Sequence, residues 1–456
     1  MKRIILLGGA LLALAGGVRL FHLGDRVLWF DEAVSLLVAR ASVSDILAAA
    51  QDDTHSPFYY LVLHLLPRGE GAARGFSVVC GVLTVGLVFG MGRRFGGTMA
   101  GAVSAGLMAL CPLHVWYSQE VRMYALQTLL VTASWWLLWL ALDSGCWRYW
   151  AAYAVAVALS LYAQYLSALA LVAQGIYVFW LRREAVRPWV LAQAGAALLF
   201  APCVPLWAQH VAGGTFGFWL SRFSWTDPLR FFAWLSGTIL KAPPYWPWAA
   251  LSLMLLAVAA MRQGKRAVPL LLWLLVPVVL LALASLRSNI FLPRALLMVT
   301  PAFALWVGGA AADRKGLVLA VVLAAANLWA LQRYYVAPNP WIRSPLREAA
   351  AIVQRDYQTG DVVVHSSRFS YRPFQWYLDE KVAQGLFRPD KGTPSLCRVI
   401  GDGRLAVCAP KRIWLVLWLD FQQPGFHKQV LAEMNARHAR CREVFSSPQL
   451  WVMLYD

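Results

Sequence analysis

The chain has 456 residues, 60% of them hydrophobic and 14% charged, with a mean hydropathy of +0.55. Soluble domains carry about 25% charged residues, so this composition excludes a soluble globular protein and indicates a polytopic membrane protein. The net charge of +18, from 41 Lys and Arg against 23 Asp and Glu, could signal nucleic acid. The basic residues, however, lie between apolar segments, where topological charge and anionic lipid account for them, and no nucleic-acid partner is expected. The excess of arginine over lysine, with abundant Ala, Leu and Trp, fits a GC-rich bacterial genome.

Met1-Lys2-Arg3 followed by the apolar run from Ile4 imitates a secretory signal peptide. Ala15-Gly16-Gly17 makes a poor cleavage site and the run continues towards Leu23, so the segment reads as a retained first span with the N-terminus cytoplasmic. Immediately after it comes Leu28-Trp29-Phe30-Asp31-Glu32-Ala33. Adjacent carboxylates beside a bilayer need an explanation, because ionisable groups there are costly and usually functional.

Apolar segments long enough to span occur at about 4–22, 75–92, 98–115, 120–142, 149–163, 166–181, 189–208, 244–261, 268–286, 292–311 and 316–333. With this set of about eleven spans, the connections predicted to be cytoplasmic hold Arg93-Arg94, Arg148, Arg182-Arg183 with Arg187, Arg262 with Lys265-Arg266, and Arg314-Lys315. Every one is basic, as the positive-inside rule requires. A crossing by Pro57–Leu66 would invert all later loops, so residues 33–66 are predicted to form juxtamembrane helices at the outer interface. The first outer loop then covers 24–74. It shares the outer side with the 118–122 cluster and with everything after residue 333.

The membrane domain is therefore 1–333, and 334–456 is a separate extracytoplasmic α/β domain. Ser344 and Pro345 open a helical pattern running to about Tyr357. Gly360-Asp361 leads into the β-like run 362–364, and 412–419 and 450–455 read as further strands, with a helix at about 427–440. Seven cysteines include no CxxC pair. Cys80, Cys111, Cys146 and Cys203 lie in or beside apolar segments and behave as small hydrophobes. Outside the cell membrane, Cys397 and Cys408 could close a short disulfide loop, leaving Cys441 over.

Four outer polar clusters could carry chemistry. Asp31 and Glu32 could simply cap a helix beginning at Ala33. Thr54-His55-Ser56-Pro57, followed by Phe58-Tyr59-Tyr60, could be a turn with a solvated histidine, and no second histidine at metal spacing supports a zinc site. In Ser118-Gln119-Glu120-Val121-Arg122, helical spacing puts Glu120 and Tyr124 on one face. Glu120 and Arg122 could equally close the hairpin as an ion pair. Arg287 and Arg294 flank the tenth span against the charge rule; they either snorkel to headgroups or bind phosphate, which suits a planar guanidinium.

An extracytoplasmic transferase lacks nucleotide donors and needs a membrane-carried one. A polyprenyl-phosphate sugar fits: its tail needs an apolar groove, its phosphate needs arginine, and the acceptor hydroxyl needs a carboxylate base. Walker A, GxGxxG and Ser-His-Asp signatures are absent. A lipid-linked saccharide flippase would instead call for polar residues at mid-membrane depth and inverted repeats. An inactive envelope scaffold is a third reading.

The chain resembles GT-C glycosyltransferases of the protein O-mannosyltransferase and lipid A aminoarabinose transferase type, glycosyltransferase family 39. The resemblance is carried by Trp29-Phe30-Asp31-Glu32-Ala33, His55-Ser56-Pro57-Phe58-Tyr59-Tyr60-Leu61, Ala72-Ala73-Arg74-Gly75-Phe76-Ser77, Gly92-Arg93-Arg94-Phe95-Gly96 and Trp116–Tyr124, and returns at Leu292–Leu297 and Gly360–Val363. It implies a GT-C fold, outer juxtamembrane helices and an inverting transfer from a polyprenyl-phosphate sugar in the bacterial plasma membrane, with no metal site predicted. Asp31 corresponds to the family's general base and Glu32 to its supporting acid. His55, Ser56, Tyr59 and Tyr60 correspond to the mouth of the site, with Gln119, Glu120, Arg122, Tyr124 and Arg294 as further substrate-binding candidates. The aminoarabinose transferases carry Glu-Lys before the proline where this chain has His55-Ser56. That departure weighs against lipid A and aminoarabinose and passes phosphate binding to Arg294 or Arg122. Sugar and acceptor (protein, lipid or glycan) stay open.

Overall fold

The computed structural model describes residues 2–213, 222–237, 246–311, 314–336, 345–387, 411–419, 425–438 and 440–456. Ser344, Cys397 and Cys408 lie outside them. The chain forms two compact units, one of Met1–Leu23 with Ala39–Ala337, the other of Gly24–Val38 with Pro338–Asp456. Residues 24–38, assigned from the sequence to the first outer loop, thus pack with the C-terminal residues.

The first unit is helical. Among the described residues, seven helices are long and apolar enough to cross a membrane: Lys2–Asp25, Glu70–Ala109, Tyr124–Ser144, Arg183–Ala212, Val268–Ser285, Pro293–Ala310 and Arg314–Val336. The second and third expected spans fall on the arms of one element, Glu70–Ala109, which bends at Gly96–Gly97. Gly97 adopts φ +79°, a left-handed conformation open to glycine. The expected spans at 149–163, 166–181 and 244–261 are helical too, as Trp147–Ala163, Tyr165–Leu181 and Trp246–Gln263, but shorter or less apolar. Of the three short helices at 30–66, Val43–Asp52 and Phe58–His64 lie in this unit, and Phe30–Arg40 lies mostly in the second.

Many of the polar side chains buried inside this unit bond to its own backbone or side chains, as an apolar solvent favours. The hydroxyls of Thr84, Ser104, Thr128 and Thr132 donate to carbonyls one turn earlier. The Tyr153 hydroxyl donates to Gln174 Oε1 (2.7 Å) and accepts from Trp189 Nε1 and Gln193 Nε2 (3.0 and 2.7 Å), while Gln174 Nε2 donates to Ser134 (2.9 Å). At one end of the bundle Arg94 pairs with Asp143, and Arg182 donates to the Leu142 carbonyl at 3.2 Å.

At the other end the decisive group is Arg19, which is completely buried. Its Nε donates to Ser118 Oγ (3.2 Å), Nη1 to the carbonyls of Ala15 and Ala109 (3.1 Å each), and Nη2 to Met108 O (3.3 Å) and His114 Nδ1 (2.7 Å). Met108 and Ala109 end the Glu70–Ala109 helix, where carbonyls lack intrahelical partners and the helix dipole favours a cation. Gln119 Nε2 then donates to the carbonyls of Arg19 and Phe21 (2.8 and 2.9 Å), and Tyr334 donates to Gln119 Oε1 (2.9 Å). Gly81 makes room for the cluster: a Cβ there would collide with Ser118 Oγ and sit 2.8 Å from Arg19 Nε.

The second unit is a five-stranded mixed sheet in the order β2-β1-β3-β5-β4, from β1 (Val362–His365), β2 (Gln384–Leu386), β3 (Ile413–Trp418), β4 (Cys441–Ser446) and β5 (Leu450–Tyr455). β1 runs parallel to β2 and β3, and the rest pair antiparallel. β3 is buried at every residue because both faces are covered. Trp414, Val416 and Trp418 join a core with Leu346, Val353 and Phe374 of the Leu346–Asp356 and Arg368–Tyr377 helices. Ile413, Leu415 and Leu417 face Val430 and Met434 of the Phe426–Arg437 helix. The starts of β1 and β3 are tied together by Asp361, whose carboxylate accepts from Arg412 (3.0 and 2.6 Å), Trp414 Nε1 (2.9 Å) and Gln358 N (2.9 Å).

The Arg19 cluster makes Gly81→Ala an overpacking change, expected to cost about 1–3 kcal/mol. The variant should lower the detergent-solubilised Tm, whereas Gly9→Ala, whose added Cβ meets nothing within 4 Å, should leave it level or higher; equal Tm values for both would contradict the packing. Burial pushes the His365 imidazole down to about 3. The folded unit therefore stays neutral there while the unfolded chain gains a proton below about pH 6.5, so stability falls as pH drops from about 6.5 towards 3. Amide exchange in β1 and β3, corrected for intrinsic rate, should accelerate over that window, and His365→Leu should flatten the dependence; an unflattened profile would exclude His365 as its source.

Candidate active site

Asp31 and Glu32 belong to the second unit. One reading of the sequence has these acids capping a helix that starts at Ala33. Instead the helix starts at Phe30, the Ala33 amide donates to the Trp29 carbonyl (3.0 Å), and both acids occupy the first turn. Ser35 Oγ donates to the Asp31 carbonyl at 2.8 Å. Glu32 is buried and Asp31 partly exposed. Carboxylates in a first turn gain from the free amides and dipole of the helix start. Of the two acids, only Asp31 presents surface.

The first unit gathers His55, Tyr60 and Arg122 around a residue the sequence reading passes over, Asp53. Asp53 Oδ1 lies 3.0 Å from His55 Nδ1, its Oδ2 accepts from the Tyr60 hydroxyl, and Arg122 Nη2 lies 3.3 Å from His55 Nε2. Since guanidinium only donates, His55 Nε2 is the acceptor and Nδ1 carries the proton given to Asp53. Burial alone would raise the Asp53 carboxyl, but His55, Tyr60 and Arg122 together hold it well below the usual carboxylate range. Asp53 is thus ionised at any physiological pH. The available signal was the Asp-x-His spacing ahead of Pro57, too short to distinguish from a polar turn.

Ser56 is buried and accepts from the Phe58 amide (3.3 Å), which makes it the opening of the Phe58–His64 helix. Tyr59 is buried with its ring 6.4 Å from that of Tyr60. Glu120 and Tyr124 do not share a helix face, contrary to expectation: the Pro112–Ser118 helix ends before Glu120 and the next begins at Tyr124. Glu120 Oε1 instead accepts from Trp116 Nε1 (2.5 Å), and its carbonyl accepts from Ser77 (2.6 Å). Gln119 is committed to the Arg19 cluster described above. Arg294, in the Pro293–Val299 helical turn, stacks its guanidinium 5.4 Å from the centre of the buried Tyr124 ring.

The first unit therefore offers two aromatic- or imidazole-supported guanidinium groups, Arg122 and Arg294, suited to an oxyanion such as a phosphate. The second offers a partly exposed carboxylate suited to taking a proton. Among the described residues, no group of three or more His, Cys, Asp or Glu side chains is placed to hold a metal ion.

Residues 56–208 match the family model of dolichyl-phosphate-mannose-protein mannosyltransferases. No curated protein matches the chain by sequence. Among solved structures, the fold is similar to ArnT from Cupriavidus metallidurans bound to undecaprenyl phosphate, with a TM-score of 0.67 at 13% identity over 98% of this chain and 97% of that one. The apo state of the same protein gives 0.65 at 14% identity over the same shares. An Archaeoglobus fulgidus oligosaccharyltransferase tethered to an acceptor peptide gives 0.52 at 11% identity, covering 84% of this chain and 64% of that one. The resemblance read from the motifs is borne out at the level of fold: this is a polytopic helical membrane protein of GT-C architecture with a small C-terminal sheet domain.

Proposed function

We propose that the chain is an integral-membrane glycosyltransferase of the bacterial plasma membrane, moving a sugar from a polyprenyl-phosphate carrier to an extracytoplasmic acceptor. The observation that carries this reading is the likeness, over nearly the whole length of both chains, to a protein whose structure holds undecaprenyl phosphate. In the proposed reaction the acceptor oxygen forms a bond to the anomeric carbon as the bond to the phosphate oxygen breaks, with inversion. Asp31 takes the acceptor proton, and polyprenyl phosphate leaves with the bonding electrons. Glu32 supports the base, and Arg294 and Arg122 neutralise the phosphate, which makes it a better leaving group.

Within this reading Asp53 and Tyr60 fix His55, and His55 fixes Arg122. Tyr59, Tyr60 and Tyr124 line or brace the donor's place, and Gln119 and Glu120 hold the turn that presents Arg122. The N-terminus would be cytoplasmic and the C-terminal unit extracytoplasmic.

Asp31→Asn should abolish sugar transfer in membranes, detected as loss of the glycan by mass spectrometry of the envelope, while folded yield stays that of the parent. Undiminished transfer would sink the mechanism. Arg294→Ala should weaken binding of undecaprenyl phosphate, used as the probe, by about ten- to a hundredfold, since a charge-assisted phosphate contact contributes about 1.5–3 kcal/mol; unchanged binding would remove Arg294 from the phosphate site. Asp53→Asn keeps the shape but not the charge that orients His55. It should reduce transfer less than Asp31→Asn and weaken undecaprenyl phosphate binding through Arg122, and an effect on neither would reduce the cluster to packing.

A further inference from the structure

The segment that leads into the Asp31–Glu32 helix is held by side chains of the C-terminal unit. The Leu28 amide donates to the Tyr377 hydroxyl at 3.0 Å. Arg347 reaches the carbonyls of Gly24 and Arg26, both at 3.3 Å, and its guanidinium lies 5.5 Å from the Tyr377 ring centre. Arg368 lies 5.4 Å from the ring of Phe30, the first residue of the helix, and Phe30 meets Phe369 edge to face at 5.3 Å. Val27 packs against the core formed by Leu346, Val353, Phe374 and Trp414, and Leu28 is fully buried.

These contacts share a pattern. They fix backbone groups at 24, 26 and 28 and the ring at 30, so the chain arrives at Asp31 in one register. Residues 26–29, which have no regular structure, could not define that position by themselves, because each unrestrained residue keeps about 1–2 kcal/mol of backbone freedom. Catalytic carboxylates need a supporting shell, since a displacement of about 1 Å can cost about a hundredfold in rate.

We propose that the C-terminal unit is a positioning device for the Asp31–Glu32 pair, with Tyr377, Arg347 and Arg368 as its positioning residues. The proposal rests on Asp31 being the base. It gives Tyr377, Arg347 and Arg368 a role in turnover that does not require them to touch donor or acceptor.

The test uses the full-length protein in detergent and two variants, Tyr377→Phe and Arg347→Met. Tyr377→Phe removes one hydroxyl and keeps the ring, so the fold should survive. Amide exchange over residues 24–32 should accelerate about tenfold or more in both variants, while exchange in β1, β3 and the Tyr124–Ser144 helix stays at the parental rate. Sugar transfer should fall about tenfold or more, with undecaprenyl phosphate affinity unchanged, a split that general unfolding would not produce. Parental exchange in both variants would overturn the clamp. Accelerated exchange with parental transfer would overturn its role in turnover. Transfer that survives Asp31→Asn would instead remove the underlying mechanism, and leave the exchange result to stand as a structural contact.

Discussion

A buried guanidinium organises one end of the membrane unit. Arg19 enters an environment where an isolated charge is prohibitively costly, and it is tolerated because the surroundings supply acceptors in every direction it donates. Two of these acceptors are carbonyls in the last turn of the Glu70–Ala109 helix, where the helix dipole favours a cation. The same ion therefore closes one helix, anchors another and fixes the Pro112–Ser118 segment through Ser118 and His114. Gln119 extends the arrangement to Tyr334 of the Arg314–Val336 helix. Replacing any one member leaves a buried donor or acceptor unpaired, which is why the cluster acts as one unit.

The turn that follows inherits this rigidity. Residues 119–123 pass from a fixed glutamine to the start of the Tyr124–Ser144 helix, and Arg122 projects from that short connection to His55. At the His55 end, Asp53 and Tyr60 set the tautomer, so the imidazole can only accept from Arg122. Each polar group thus has its orientation set by the next. Such a chain is favourable in a low-dielectric setting when fully satisfied and costly when broken.

The architecture was legible because its signals are long. Apolar runs of bilayer length and basic loops repeat along the chain, and β3 reads as a continuous hydrophobic strand. What the sequence concealed is short or long-range. β2 has three residues, β4 is a polar edge strand of the sequence Cys-Arg-Glu-Val-Phe-Ser, and the Arg368–Tyr377 helix carries Pro373 in its interior, a residue that argues against helix on local grounds. Arg19 looked like part of a hydrophobic run's tail because its partners lie about ninety residues away. Asp53 was hidden for the opposite reason: it is so close to His55 that the pair looked like a turn. The membership of residues 24–38 in the C-terminal unit has no local signature at all, since Arg347 and Tyr377 lie more than three hundred residues further along.

The substitution of His55-Ser56 for the Glu-Lys of the aminoarabinose transferases bears on how a donor phosphate would be held. Ser56 cannot replace the lysine, since it brings no charge and its hydroxyl oxygen accepts from the Phe58 amide at the start of a helix. A cation reaches this neighbourhood through Arg122 instead, on a connection braced by the Arg19 cluster. The exchange is chemically unequal. A lysine ammonium is a mobile point charge on a flexible stem, whereas a guanidinium beside an imidazole is planar and held in one orientation. On the proposed mechanism, such a plane favours a phosphate arriving in one orientation, and so ties donor geometry to the same buried ion that closes the Glu70–Ala109 helix.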